Sequence, residues 1–172
     1  KLIRKYRGKR KEPILISKLS IVQQQMAAII FRLAHSSAHH KNKSVSLKGY
    51  KAVMKRSIKT LDLLIRKYPK FEDIPLAYFM RGKAFEEIEK KIPAGKDYLH
   101  LVTHYPQARE STSAYMSLAQ FAIDKDEHEK AIKFLVEVEK RPYTSQFPFA
   151  LYKLGWAHYN LKKPEKALGY ME

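Results

Sequence analysis

Two stretches of the chain, 36 residues apart, share one pattern of large and small apolar residues. Tyr-Met-Ser-Leu-Ala-Gln-Phe-Ala at 115–122 aligns with Leu-Tyr-Lys-Leu-Gly-Trp-Ala-His at 151–158. At the same offset, Glu-Lys-Ala-Ile at 129–132 aligns with Glu-Lys-Ala-Leu at 165–168. An earlier copy, offset by 37 residues, places Tyr78 opposite Tyr115 and Gly82 opposite Ala119. A period that extends over two successive segments indicates a repeated two-segment unit.

Prolines mark the same period independently. Pro69, Pro106 and Pro142 are 37 and 36 residues apart, and the first two follow similar phrases, Arg-Lys-Tyr and Thr-His-Tyr. A proline disfavours helical backbone in the residue before it, so each ends a helix. Apolar residues elsewhere recur every three or four positions, which predicts helices throughout and no strand.

These repeats resemble the tetratricopeptide repeat family, whose units are antiparallel helix pairs with small residues where the two helices meet. The resemblance covers about residues 75–172. It rests on Gly82, Ala119 and Gly155 in the first helices and on Ala94, Ala131 and Ala167 in the second helices. It implies an all-α, right-handed solenoid, because helix pairs bury their apolar faces by stacking. The tyrosine-proline unit endings and Leu-Gly-Trp-Ala-His-Tyr-Asn-Leu at 154–161 look most like bacterial cell-envelope members.

The pattern divides the chain into three parts. Residues 1–14 are expected to form a basic arm, and 15–73 a divergent basic helical pair that includes a long helix near 16–35. Repeats are expected at about 74–108, 109–145 and 146–172. The last repeat is incomplete, so the natural protein is expected to continue. Asp126 with Glu129 is interpreted as a helix cap, and a break between helices is expected at 91–93.

Charge distinguishes the front of the chain from the rest. Residues 1–70 hold 19 basic and two acidic side chains, whereas residues 71–172 hold 15 of each. A positive field of this size attracts polyanions, and a balanced surface does not. Four lysines are spaced three and four apart and predict a basic stripe for an anionic partner: Lys48, Lys51, Lys55 and Lys59. The partner could be an acidic protein, lipid head groups or nucleic acid.

The resemblance also implies a binding groove lined by the inner faces of the first helices. Nine positions would present their side chains there: Phe79, Lys83, Glu86, Met116, Gln120, Ile123, Tyr152, Trp156 and Tyr159. Aromatic and methionine side chains suit a partner peptide or helix. The alternative for Trp156 and Tyr159 is ordinary packing beneath a following repeat. Lys83, Gln120 and Trp156 do not form the Lys and Asn arrangement with which some family members grip a terminal carboxylate.

No catalytic or cofactor motif is present in the sequence. The chain lacks cysteine, a glycine-rich phosphate loop and a nucleophile elbow, so we predict a non-enzymatic scaffold without cofactor or metal. His35, His39 and His40 are interpreted as part of a loop, and His100 and His104 as structural. The alternative function is a nucleic-acid-associated protein that uses its basic half. The bacterial envelope is favoured over the cytoplasm, and the oligomeric state stays open.

Overall fold

The computed structural model describes residues 21–23, 25, 26, 29 and 47–170. Among these residues there are helices and turns but no strand. They form two compact units divided between Lys90 and Lys91. The first unit contains α1 (Leu47–Lys67) and α2 (Ile74–Glu87). The second contains α3 (Lys91–His104), α4 (Ser111–Ile123), α5 (His128–Glu139), α6 (Phe147–Asn160) and α7 (Pro164–Leu168).

Parts of the predicted front half lie outside the described residues. These are the basic arm 1–14 and the connection 35–46 with its three histidines. Of the predicted long helix at 16–35, residues 21–23, 25, 26 and 29 are described and helical. There Val22, Met26 and Ile29 are exposed, whereas Gln23 is buried. None of the helices in the described ranges is both long and apolar enough to cross a bilayer.

In the first unit, α1 and α2 pack as an antiparallel pair. Tyr50, near the start of α1, donates a hydrogen bond to the Glu87 carboxylate at the end of α2. Burial, together with this carboxylate, raises the pKa of the Tyr50 hydroxyl. Further along, Arg81 Nη1 lies 3.0 Å from Asp62 Oδ1. The equivalent positions in the two later first helices are Leu118 and Leu154, so an ion pair takes the place of an apolar side chain at Arg81.

The second unit repeats with the period read from the sequence. Its second helices begin at Lys91, His128 and Pro164, and the fourth residue of each is a buried alanine: Ala94, Ala131 and Ala167. Its first helices, α4 and α6, carry a buried small residue at their ninth position: Ala119 and Gly155. Consecutive helices pack on one another from α3 to α7. Small side chains at these positions allow the helix backbones to approach closely.

The turns that follow α2, α4 and α6 share one conformation. Glu89, Asp126 and Lys162 have φ values of 63°, 59° and 57°. In each case the next residue's N–H bonds back to the carbonyl five residues before it, as Lys163 does to His158 at 3.0 Å. This hydrogen-bond pattern is typical of an α-helix that ends with one residue in the left-handed conformation, a position that normally favours glycine. Here the chain places side chains at all three positions.

Two local expectations were wrong. Asp126 does not cap α5, because its left-handed backbone belongs to the turn and Glu127 is the residue before the helix. The break expected at 91–93 lies earlier, since α3 begins at Lys91 and includes Pro93. Proline is tolerated in the first turn of a helix, where its missing N–H would have no helical partner.

An aromatic contact joins α6 to the segment that follows α7. The His158 ring on α6 stacks on Tyr170, with centroids 5.7 Å apart and planes at 6°. Burial, with Lys166 and Lys163 nearby, lowers the pKa of the His158 imidazole. Its Nδ1 is buried and has no hydrogen-bond partner among the described residues. Stacking on Tyr170 is therefore the described contact that positions the His158 ring.

Candidate partner-binding surface

A row of exposed aromatic side chains runs along α6. Phe149 and Tyr152 are each 64% exposed, Tyr159 is 67% exposed and Trp156 is 36% exposed. They follow one another at intervals of three, four and three residues, so they share a face of the helix. At 1.5 Å per residue the row extends over about 15 Å. We call these four side chains the aromatic face.

The sequence predicted three members of the aromatic face and missed Phe149. Phe149 lies three residues before Tyr152, and this helical spacing is the sequence signal that places both side chains on one face. Large exposed apolar side chains gathered on one helix are typical of interaction surfaces. The aromatic face therefore has the composition of a docking surface.

The equivalent positions on α4 show what such a face contacts. Ser113 and Gln120 lie 36 residues before Phe149 and Trp156. Gln146 Nε2, just before α6, donates a hydrogen bond to Ser113 Oγ at 2.8 Å. Lys153 Nζ on α6 donates one to Gln120 Oε1 at 2.6 Å. On α4, these positions meet the first helix of the next repeat.

Gln120 belongs to a polar network that joins three helices. Its Nε2 donates to Asp124 Oδ1 at 2.7 Å, and Lys91 Nζ of α3 donates to Asp124 Oδ2 at 2.5 Å. Hydrogen bonds from Lys91 and then Gln120 lower the pKa of the Asp124 carboxyl. Gln120 was predicted to line the groove, but its amide bridges α4 and α6. Met116 and Ile123, on the same helix, are partly exposed.

The other three predicted groove residues lie on α2 in the first unit. Phe79, Lys83 and Glu86 are all partly buried. Lys83 Nζ donates to Glu86 Oε2 at 3.0 Å, so the two charges are paired along the helix. The structure thus places three of the nine predicted groove residues in the first unit and six in the second.

Trp156 also contacts the preceding helix pair. The His128 ring at the start of α5 meets the Trp156 ring edge-on, with centroids 5.2 Å apart and planes at 79°. On its other side, Trp156 joins Tyr159, Pro164, Ala167 and Leu168 around an apolar hollow of about 410 Å³. The contact with His128 packs the indole against α5, so the aromatic face is partly buried at its centre.

The predicted basic stripe lies on α1. Lys48, Lys55 and Lys59 are exposed, and none of them forms an ion pair within the described part of the chain. Lys51 is partly buried, and its Nζ lies 3.9 Å from Glu89 Oε1. Arg56, which the sequence reading did not include, is exposed beside Lys55. Four exposed cations without an acidic partner among the described residues thus line one side of α1: Lys48, Lys55, Arg56 and Lys59.

The histidine pair in the second unit has local contacts. The His100 and His104 rings stack with centroids 4.1 Å apart, and His104 Nδ1 lies 3.0 Å from the His100 carbonyl oxygen. Over residues 47–170 and the few described positions before them, no three His, Asp or Glu side chains are grouped to hold a metal ion.

Comparisons with known proteins agree with this geometry. Residues 149–172 match the family described as Tetratricopeptide repeat. Among solved structures, the chain is similar to one titled "Crystal structure of MamA protein", with a TM-score of 0.50 and 17% sequence identity. That alignment covers 86% of this chain and 89% of the other. No curated protein sequence matches the chain.

The all-α, tetratricopeptide-like fold expected from the sequence is confirmed, and so is the resemblance to that repeat family. The match includes the whole aromatic face, since Phe149 and Tyr159 both lie within residues 149–172. A fold of this class, with a tetratricopeptide repeat, is a scaffold for protein interactions, and such scaffolds are typically not enzymes.

Proposed function

We propose that this chain is a non-enzymatic scaffold that binds an amphipathic helix or peptide of a partner protein on the aromatic face, flanked by Met116 and Ile123. The observation that carries the proposal is the exposure of Phe149, Tyr152 and Tyr159, each above 60%. On α4, Gln120 at the position of Trp156 is contacted by Lys153 of α6, and Ser113 at the position of Phe149 is contacted by Gln146 just before α6. The same contact on α6 would bury aromatic surface in place of polar side chains.

Burial of this surface supplies enough free energy for specific binding. Each large aromatic side chain offers on the order of 150–250 Å² of surface, and apolar burial contributes about 25 cal/mol per Å². Truncation of a central aromatic residue in an interface commonly weakens binding by more than about 1 kcal/mol, which is a factor of five or more. The face should therefore depend on its individual rings.

The test is a pull-down that compares matched aromatic substitutions. Tyr152→Ala and Tyr159→Ala should each reduce partner recovery, while Tyr143→Ala should leave it unchanged. Tyr143 is fully exposed but lies in the connection before α6, away from the aromatic face. Circular dichroism on each variant reports whether the helices are intact. Equal recovery with all three variants would exclude the aromatic face.

Phe79, Lys83 and Glu86 extend the proposal to the first unit. If α2 contributes to the same partner contact, Phe79→Ala should weaken binding in the same assay. If Phe79→Ala has no effect while Tyr152→Ala does, the partner site is confined to the second unit.

The basic side of α1 is proposed to attract an anionic partner. Its support is the set of four exposed cations that have no acidic partner in the described part of the chain. The alternative function is nucleic-acid association through the same side chains. Charge reversal of Lys48, Lys55 and Lys59 should weaken binding of a DNA or RNA oligonucleotide, and that binding should fall steeply with salt. Charge reversal of Lys133, Lys162 and Lys163 in the second unit changes net charge equally and is the control, since these lysines are exposed and form no ion pair with another described residue. Tight oligonucleotide binding that only the α1 variant loses would favour the alternative function.

A role in bacterial envelope assembly is proposed from the sequence resemblance alone. Fractionation of cells that produce the full-length natural protein tests this location. Recovery in the cytoplasmic fraction would remove the envelope role and leave the scaffold proposal in place.

A further inference from the structure

A second apolar surface lies in the second unit, away from the aromatic face. Helices α3, α4 and α5 enclose a cleft of about 300 Å³. None of the predicted groove residues lines it. Its apolar walls come from seven residues: Ile92, Gly95, Leu99, Leu118, Phe121, Ala122 and Phe134.

Gly95 leaves the cleft open at a cost in stability. It is the fifth residue of α3 and has no positive φ, so the backbone does not require glycine. A Cβ built there would meet Phe121 Cδ2 at 3.8 Å, an ordinary van der Waals distance. Glycine inside a helix is destabilising relative to alanine. Neither backbone geometry nor crowding therefore explains this glycine.

The other repeats fill the corresponding positions differently. Ile132 and Leu168 occupy the place of Gly95 in the next two second helices, and Ala157 occupies the place of Phe121 in α6. Gly95 thus stands where the later second helices have Ile132 and Leu168, and Phe121 stands where α6 has Ala157. This combination of glycine and phenylalanine occurs between the repeats 74–108 and 109–145 and is absent from the next pair of repeats.

Phe121 packs against α3 at the floor of the cleft. The Phe121 ring packs against Tyr98, with centroids 6.1 Å apart, and Lys91 Nζ lies 5.9 Å from the same ring. Tyr98 is fully buried. Phe121 thus contacts Tyr98 and Lys91, both on α3, and links the wall on α4 to that helix.

Exposed apolar side chains extend the cleft along α3. Ile92 is 75% exposed and Leu99 is 50% exposed. They are seven residues apart, which places them on one face of the helix about 10 Å from each other. An amphipathic helix presents its apolar anchors at the same spacing, at positions i, i+3 or i+4, and i+7. The length of the apolar surface therefore fits two turns of a helix.

The rim of the cleft is positively charged. Lys91 and Lys130 are paired with Asp124 and Glu127. Lys96 and Lys125 are exposed, and neither forms an ion pair with another described residue. Two unpaired cations beside an apolar cleft favour a ligand with acidic groups next to its apolar anchors.

We propose that this cleft docks an acidic amphipathic helix of a partner protein. The helix places apolar side chains over Gly95 and between Ile92 and Leu99, and its Glu or Asp side chains meet Lys96 and Lys125. The site is separate from the aromatic face and does not depend on it.

The test uses a display library of helical peptides of about 18 residues, long enough to form a helix. Leu, Ile, Phe or Met is fixed at i, i+3 and i+7, and the flanking positions are drawn equally from Glu, Gln and Lys. The library is selected on the full 172-residue chain. We expect enrichment of Glu at the flanks. Affinities of the selected peptides are then measured against variants of the chain.

Gly95→Leu should fill the cleft and so lower the affinity of the chain for the selected peptides at least about tenfold. Leucine is the better helix former, so the denaturation midpoint of this variant should not fall. The variant also retains the basic front half, which separates docking in the cleft from general attraction of acidic peptides. Lys96→Glu with Lys125→Glu should weaken binding roughly threefold to tenfold, more at low salt. Lys133→Glu with Lys162→Glu, outside the cleft, is the matched charge control.

Three results would overturn the proposal. The first is enrichment of neutral or basic peptides. The second is binding that Gly95→Leu leaves unchanged. The third is an absence of peptide binding together with binding of laurate that Gly95→Leu abolishes, because this result would assign the cleft to a small anionic amphiphile.

Discussion

Replacing Lys162 with glycine should stabilise the folded protein, because the backbone of this residue is in the left-handed region. Its φ of 57° lies in a region that costs an L-residue about 1–2 kcal/mol relative to the right-handed helix. Glycine avoids this cost but loses about 0.5–1 kcal/mol through the greater freedom of the unfolded chain. The difference predicts that Lys162→Gly raises the free energy of unfolding by about 0.5–1 kcal/mol. The turn's backbone hydrogen bonds do not involve the side chain and should persist.

Urea denaturation followed by circular dichroism measures this change, and the melting temperature should rise by roughly 1–4 °C. Lys163→Gly is the matched control, since it removes the same charge at a neighbouring residue with a φ of −116°. It should give no gain in stability.

The three equivalent turns provide an internal comparison. Glu89→Gly should stabilise the chain about as much as Lys162→Gly, whereas Asp126→Gly should stabilise it less. Aspartate tolerates the left-handed region better than lysine or glutamate because its short side chain can bond locally. Destabilisation by Lys162→Gly, or equal gains from Lys162→Gly and Lys163→Gly, would refute the left-handed assignment.

Four further changes test the packing. Leu135→Ala removes a fully buried side chain and should destabilise by about 2–5 kcal/mol in urea denaturation; a loss below about 1 kcal/mol would contradict its place in the core. Ser57→Ala removes a fully buried hydroxyl without a partner among the described residues, so it should stabilise by up to about 1 kcal/mol, and destabilisation would indicate a hidden hydrogen bond. Gly95→Ala should raise the unfolding free energy by about 0.5–1 kcal/mol, because the new Cβ would lie at an ordinary 3.8 Å from Phe121 Cδ2. A fall in the unfolding free energy would contradict the open space at this position. Because the pKa of folded His158 is lowered, the unfolded chain takes up the proton first, and stability should fall below about pH 6.5 by at most about 1.4 kcal/mol per pH unit; His158→Phe should flatten this part of the melting-temperature profile, and an unchanged profile would contradict the assignment.

The repeat, its period and its small-residue positions could be predicted from the sequence. Ala131 and Ala167 recur because each helix pair needs a small side chain at the same close contact, and this local requirement repeats in the order of the residues. The helix ends shortly before Pro106 and Pro142, at His104 and Glu139, were predicted for a similar reason, since each proline restricts the backbone of the residue before it. The turn conformation at Asp126 was not predicted, because aspartate also caps helices and only the backbone angles distinguish the two roles.

The binding surfaces depended more on tertiary structure. Periodicity placed Gln120 and Trp156 at one repeat position, but only the fold shows that Gln120 is engaged by Lys153 while Trp156 remains partly exposed. The cleft beside Gly95 was not anticipated, because its walls come from three helices and its depth depends on an absent side chain facing Phe121. A repeating sequence determines which residues face a neighbouring helix. Whether that face is covered, bridged or open depends on the side chains that the neighbour brings, and these come together only when the helices pack.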